Sequence, residues 1–416
     1  MKLIITTFRS HPFLWSILAI GIILRFAFVI FLPFGNTVRG CLPGEIDEQA
    51  HYAYSNYLFT EHQLPVLTTG VFDPMASQTL DFEYHQPPAY YMICTVLRCI
   101  AGSPNDLYAG RFLSFVFGVL SILLIYLIFK HLQLPGGLAA AAFTSILIPH
   151  MYFCALFSND SISWFIALLL SAECIFYLTY VKNNKHPPIG KAIRTGAYLA
   201  IGLLTKSSLL PFVFICGGTL VYAWAQSRSK EFIKHGAIIL GTGIVCALPW
   251  YIRNYMLYAS LFGVDFISNP SGTTVLNAHK ILYFAKSTIC FFWFPSIHVA
   301  VSPVITALHG IQALFCTVFF AAAIVYGAKQ RLTATGWFMI LTLILFAGAL
   351  LQYNIAGSWR TAEARFLFPA LLSIVFLIVV PIKTLFKEKY NHIAEVLIFV
   401  PAALSYLTFA FVKFAQ

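Results

Sequence analysis

Asp47, Glu48 and His51 fall within five residues of one another, directly after Pro43-Gly44. Residues four apart share a helix face, so Asp47 and His51 would point the same way. A carboxylate supported by a second acid and an imidazole could act as a general base. The same residue types are also metal ligands, so a cation site is a second reading. The spacing is not H-E-x-x-H, which sets aside the metalloprotease arrangement. Plain capping of a first helical turn would explain one of the acids, but not the group.

Glu83 and His85 end the same polar stretch, ahead of Pro87-Pro88, a pair suited to a first helical turn. Both could face the cleft that Asp47 faces. Asp160, in Ser158-Asn159-Asp160-Ser161, lies between two apolar runs with little polar room. It is either a helix cap or a second acidic group of the site. Lys206, Arg253 and Arg365 each stand at the end of an apolar run and could bind a phosphate or neutralise the carboxylates. The stretch Gly202 to Ser208 lacks the first glycine of a P-loop, so Lys206 is read as a phosphate or headgroup ligand, not as a nucleotide ligand. Arg25 and Glu173 lie inside apolar runs and could be paired structural charges.

The elements that must hold these groups are apolar. Hydrophobic residues make up 59% of the 416 and charged residues only 10%, where a soluble domain has about a quarter charged. Runs of about 18 apolar residues are long enough to span a bilayer. Eleven are expected: Phe13 to Leu32, Ala109 to Phe129, Gly137 to Phe157, Ser161 to Val181, Ala192 to Thr205, Ser208 to Ala225, Gly236 to Ile252, Pro303 to Gly327, Thr333 to Tyr353, Phe366 to Leu385 and Ile393 to Val412. The chain is therefore an all-α, polytopic integral membrane bundle, and its longest polar interruption is the loop 33–88. Phe13 to Leu32 has no A-x-A-like site after it and is expected to stay as a first helix.

The formal net charge of +11 does not point to nucleic acid. The basic residues are spread over short loops between apolar runs, as the positive-inside rule requires. That rule also sets the topology. With a cytoplasmic N-terminus, Lys130, Lys182, Lys185, Arg228, Lys230, Lys329 and Lys383 face inward only if Pro88 to Ala101 and Ile281 to Val299 do not cross. Those two short stretches are accordingly placed at the interface, as surface or re-entrant helices. Asp47, Glu48, Glu83, Asp160, Lys206, Arg253 and Arg365 then share the outer side. The nine cysteines contain no CxxC pair, and all but Cys41 lie in or beside apolar runs, as packing residues do.

The order of these features resembles the GT-C glycosyltransferases. The shared pattern is an outward Asp-Glu pair after the first span, a Pro-rich helix start at the end of the loop and a second outward Asp after the third span. The stretches GLLTK (202–206), PWYIRNY (249–255) and EARFLFPAL (363–371) carry it too. The closest likeness is to the branch of protein O-mannosyltransferases and aminoarabinose transferases, over residues 1–385. Residues 386–416 add a cytoplasmic loop and a last span.

The resemblance implies an inverting transferase in the bacterial inner membrane. It would move a sugar from a polyprenyl-phosphate donor to a glycan, lipid or protein acceptor on the outer face. By resemblance Asp47 is the catalytic acid position, Glu48 its neighbour, and Asp160 the second acidic position. Gln86-Pro87 stands where aminoarabinose transferases tend to have Lys-Pro, so Lys206, Arg253 or Arg365 must supply the phosphate contact. GT-C relatives differ in metal use, and Asp47, His51 and Asp160 could hold a divalent cation. The rival readings are a transporter or flippase of a lipid-linked glycan and an inactive lipid-sugar binder of the same fold. No internal repeat or pair of broken segments favours the transporter.

Overall fold

The computed structural model describes residues 12–32, 34, 45–67, 83–102, 107–263, 278–293, 303–330, 332–356, 364–386 and 388–414. Arg39, Cys41, Asp73, Asp81 and Arg360 lie outside them. The described residues are helical, with no strand among them.

The first helix, α1 (Pro12–Phe31), is followed by α2 (Glu45–Glu61), which carries the acidic stretch, and by α3 (Ala89–Ala101). Then come α4 (Leu107–His131), α5 (Gly137–Ile146), α6 (Ile148–Phe153), α7 (Asp160–Lys182) and α8 (Ile189–Thr205). The 3-10 turn Ser207–Leu209 leads into α9 (Pro211–Ser227), and α10 (Lys230–Tyr258) follows. The last third holds α11 (Ala278–Trp293), α12 (Pro303–Lys329), α13 (Ala334–Ala356), the 3-10 segment Ala364–Ala370, α14 (Leu371–Leu385) and α15 (Asn391–Phe414).

Among the described residues, nine helical stretches are long and apolar enough to cross a membrane. Two of the eleven expected spans are not among them. One is Ala192 to Thr205, which lies in α8, a helix of 17 residues. The other is Gly137 to Phe157, which is not one helix. Pro149 has no N–H to close the helical ladder and its ring crowds the preceding turn. The backbone becomes extended at Leu147 (ψ 106°), and α6 restarts beyond it for six residues.

A break inside a membrane frees carbonyls that must find donors. Arg25 of α1 donates to Thr144 O at 2.8 Å and to Ser145 O, and Tyr406 of α15 donates to Ile146 O at 3.0 Å. Arg25 also meets His150 Nδ1 at 2.7 Å. Its backbone can come this close because Gly21, one turn earlier, leaves room; a Cβ there would lie 2.5 Å from Ser145 O. Arg25 and Glu173 are therefore not partners. Glu173 is held instead by Lys191 and Arg194 at 2.7 Å each.

The core lies where α7, α14 and the α5–α6 pair meet, and α7 is buried along most of its length. Helix α3 has one buried face, Tyr90, Tyr91, Cys94 and Arg98, while Met92, Val96 and Ile100 are exposed. At about 1.5 Å per residue its 13 residues reach roughly 20 Å, short of the roughly 30 Å hydrocarbon core. It packs on α2, where Tyr54 stacks on Tyr91 with centroids 3.9 Å apart. Arg98 donates to Ser55 Oγ at 3.2 Å and to Asn56 Oδ1 at 2.9 Å. The described cysteines are free thiols.

Candidate functional site

Four separate segments bring charge to one place. Asp47 comes from the first turn of α2 and Asp160 is the first residue of α7. Lys206 is the residue after α8, with extended backbone, and Arg365 sits in the 3-10 segment Ala364–Ala370. Arg365 Nη2 donates to Asp47 Oδ2 at 2.5 Å. Its Nη1 stands 3.6 Å from Asp160 Oδ2, and Lys206 Nζ donates to Asp160 Oδ1 at 2.5 Å. Ser158 Oγ donates to Asp160 Oδ2 at 3.1 Å. Asp160, Lys206 and Arg365 are buried, whereas the Asp47 side chain keeps 26% of its surface exposed. Two cations thus hold two carboxylates together, and one carboxylate faces open space.

The cations are held as firmly as the acids. The Arg365 guanidinium lies over the rings of Phe153 (4.9 Å) and Phe366 (5.1 Å), and Lys206 Nζ lies 5.7 Å from the centre of the Phe366 ring. Contacts of this kind add modestly to holding a cation where water is partly excluded.

His51 lies one turn after Asp47 and is buried. Its Nδ1 meets the Tyr91 hydroxyl at 2.7 Å. Asn159 Nδ2 donates to the same hydroxyl at 3.5 Å and to Thr205 O at 3.2 Å, which ties the start of α7 to the end of α8. Burial pushes the His51 imidazole below its usual value, against the pull of Glu83 and Asp47. Burial alone would raise Asp47, but the positive Arg365 and then His51 outweigh it, so its carboxyl is held below the usual range. Glu83 goes the other way. Burial, with Asp47 adding to it, raises its carboxyl above the usual range, although His51, Lys206 and Arg365 all oppose. The site therefore contains two neighbouring carboxyls whose affinities for a proton are driven apart.

Not every expected site residue joins this cluster. Glu48 points away from Asp47 and forms a buried two-pronged pair with Arg111, at 2.7 Å (Nε to Oε1) and 2.6 Å (Nη2 to Oε2). Its Oε1 also accepts Phe157 N–H at 2.7 Å. Arg253 stacks on Trp250 and donates to Pro65 O at 2.5 Å, so it fastens the loop that leaves α2. The His85 carbonyl accepts Asn254 Nδ2 at 2.9 Å. Arg253 and Asn254 of α10 thus hold chain on both sides of 68–82, near the site but outside its ion pairs. Tyr91 and Arg111 were not expected as partners of His51 and Glu48. Their separations, 40 and 63 residues, leave no local signal.

Among the described residues no group of three or more His, Cys, Asp or Glu side chains is placed to hold a metal ion. Asp47 and Asp160 instead have cationic side chains against them.

Comparison with known proteins adds to this geometry. The model of the dolichyl-phosphate-mannose-protein mannosyltransferase family matches residues 85–252. Among curated protein sequences none matches. ArnT from Cupriavidus metallidurans, solved bound to undecaprenyl phosphate, superposes with a TM-score of 0.55 at 14% identity, over 93% of this chain and 62% of its own. The Archaeoglobus fulgidus oligosaccharyltransferase, solved with zinc and sulfate, gives 0.51 at 13% identity, over 94% of this chain and 52% of its own. The same enzyme tethered to an acceptor peptide gives 0.52 at 15% identity, over 98% and 54%. This chain therefore spans 52 to 62% of the length of these structures. It has the fold of these structures.

Proposed function

We propose that this chain, an all-α membrane protein of the GT-C fold, is a glycosyltransferase. It takes a sugar from a polyprenyl-phosphate donor and passes it, with inversion, to an acceptor hydroxyl or phosphate at the outer face of a bacterial inner membrane. The observation that carries this reading is the convergence of Asp47, Asp160, Lys206 and Arg365 from four segments. A phosphate leaving group needs cations, and an attacking hydroxyl needs a base; this cluster contains both. The match of residues 85–252 to a mannosyltransferase family and the undecaprenyl phosphate bound by ArnT support the same class of donor.

In this reading the acceptor hydroxyl gives its proton to the Asp47 carboxylate as its oxygen attacks the anomeric carbon. The bond from that carbon to the phosphate oxygen breaks, and the electron pair leaves with the polyprenyl phosphate. Lys206 and Arg365 stabilise the charge that grows there. Asp160 keeps Lys206 in place. Glu83 and His51 lie beside the base and adjust its electrostatics, and His85 sets the end of the loop that bears Glu83. Glu48 acts through position, since its pair with Arg111 sets where α2 sits. Arg253 acts on the loop end at Pro65.

The stereochemistry tests this assignment. Purified protein supplied with a β-linked polyprenyl-phosphate sugar and an acceptor alcohol should yield the α-linked product. A retained configuration, or turnover that requires a nucleotide sugar, would overturn it. Sidedness has its own check: a single cysteine placed at His131 should resist a membrane-impermeant thiol reagent applied from outside, and efficient labelling would reverse the topology.

A further inference from the structure

The reading above leaves a conflict at Arg365. A general base needs a carboxylate whose charge is not already spent on a neighbouring cation, and a phosphate ligand needs a cation whose charge is free for the phosphate. In this structure the two groups neutralise each other, with Arg365 Nη2 on Asp47 Oδ2 at 2.5 Å. Asp160 does not depend on Arg365 in the same way. Lys206 and Ser158 already reach its two oxygens, and Arg365 Nη1 stays 3.6 Å away. The Phe153 and Phe366 rings contact Arg365 through its charge, so a change of partner at the fork need not undo that packing.

We propose that Arg365 is a donor-operated latch on Asp47. Without the lipid donor it holds the carboxylate in an ion pair. The arriving phosphate, a stronger acceptor for a guanidinium fork, takes Arg365 over and frees Asp47 to accept the acceptor's proton. Base strength is then present only while donor is bound. No covalent bond changes in this step; one ion pair is exchanged for another. The inference rests on the phosphate-site reading above, and it makes Arg365 both a phosphate ligand and the residue that times the base.

Linkage gives the test, because coupling between two sites is reciprocal. If phosphate must draw Arg365 away from Asp47, removing the Asp47 charge must strengthen phosphate binding. Purified full-length protein would be titrated with undecaprenyl phosphate, comparing wild type, Asp47→Asn, Arg365→Gln and the double variant. Asp47→Asn should bind roughly tenfold tighter than wild type, and Arg365→Gln more weakly. In the Arg365→Gln background Asp47→Asn should change Kd by less than about twofold. Equal tightening in both backgrounds would overturn the latch, since it would mean that Asp47 simply repels phosphate. No tightening at all would overturn it too, with Arg365 serving both anions at once.

Arg365→Lys guards against misfolding of the glutamine variant. A lysine keeps the positive charge that both anions compete for, so tightening by Asp47→Asn should survive there, and its loss would sink the proposal. Absence of saturable binding in every protein would overturn the phosphate site itself, and the latch with it.

Discussion

Glu48 and Arg111 form a buried, two-pronged ion pair that joins the acidic helix to two other parts of the chain. Arg111 also donates to Val29 O at 3.2 Å and Leu32 O at 2.8 Å, carbonyls at the end of α1. Glu48 accepts Phe157 N–H, three residues before Asp160. One pair therefore fixes α2 against the end of α1 and against the approach to α7. Asp47, the adjacent residue, inherits its position from this arrangement. Close packing at Gly110 supports it, since a Cβ there would fall 2.2 Å from the Phe157 ring.

Removing one partner leaves the other charge buried. Glu48→Gln should therefore cost about 3–5 kcal/mol of stability. Thermal unfolding in detergent would show it as a large drop in Tm. The Asp47 side chain keeps 26% of its surface exposed and Arg365 still has Asp160 3.6 Å away, so Asp47→Asn should shift Tm far less. If the two variants unfolded alike, Glu48 would not be the structural member of the pair.

Arg25 makes a separate stability prediction. Arg25→Leu leaves the Thr144 and Ser145 carbonyls without this donor at the helix break. A buried unsatisfied group costs about 1–3 kcal/mol. The loss should appear as a lower Tm, with Arg25→Lys intermediate. An unchanged Tm in Arg25→Leu would show that the break is satisfied in some other way.

How far the sequence led can be judged from these residues. Asp47 drew notice through its spacing to Glu48 and His51 in a polar loop, and Asp160, Lys206 and Arg365 because each stands at the end of an apolar run, where a charge needs a reason. The role of Glu48 was not legible. Its neighbour in sequence, Asp47, joins the ion-pair cluster, but its own partner is 63 residues away and depends on the rotation of α2 about its axis. Arg253 lies outside the ion pairs for a related reason: being at the right end of a helix does not say which way a long side chain turns. The break after Ile146 was signalled by Pro149, yet the apolar run through it read as continuous because hydropathy does not register a missing N–H.

The pH dependence of stability should be two-sided. Burial lowers His51 from its ordinary 6.5, so the contribution of its neutral form is present above that value and is lost as pH falls toward the folded value. Burial raises Glu83 from its ordinary 4.5, so its contribution is present below that value and is lost as pH rises through the folded value. Between about pH 6.5 and 4.5 the two oppose each other. Asp47, held below 3.8, enters only in stronger acid. Tm measured across this window should fall less on acidification in His51→Gln than in wild type, and more in Glu83→Gln. Parallel profiles in all three proteins would mean that neither group titrates differently on folding.

Lys206 should separate donor affinity from fold. Lys206→Ala removes a cation from the proposed phosphate site and leaves Asp160 with Ser158 and the more distant Arg365. The KM for a polyprenyl-phosphate sugar should rise roughly tenfold or more, a loss of at least about 1.4 kcal/mol. Asp160→Asn should repair part of any accompanying stability loss, because it removes the buried charge that Lys206→Ala leaves behind. A normal KM in Lys206→Ala would place the phosphate elsewhere.

The central claim is that Asp47 is the base of a sugar transfer from a lipid phosphate. Its most direct test is release or transfer of sugar from a panel of polyprenyl-phosphate sugars by purified protein, run beside Asp47→Asn at equal folded concentration. The account predicts turnover of at least one donor by wild type, and a loss of about 10²–10⁴-fold in the variant while it still binds the lipid. Equal turnover by the two proteins would contradict it, and so would saturable lipid binding by both with turnover by neither.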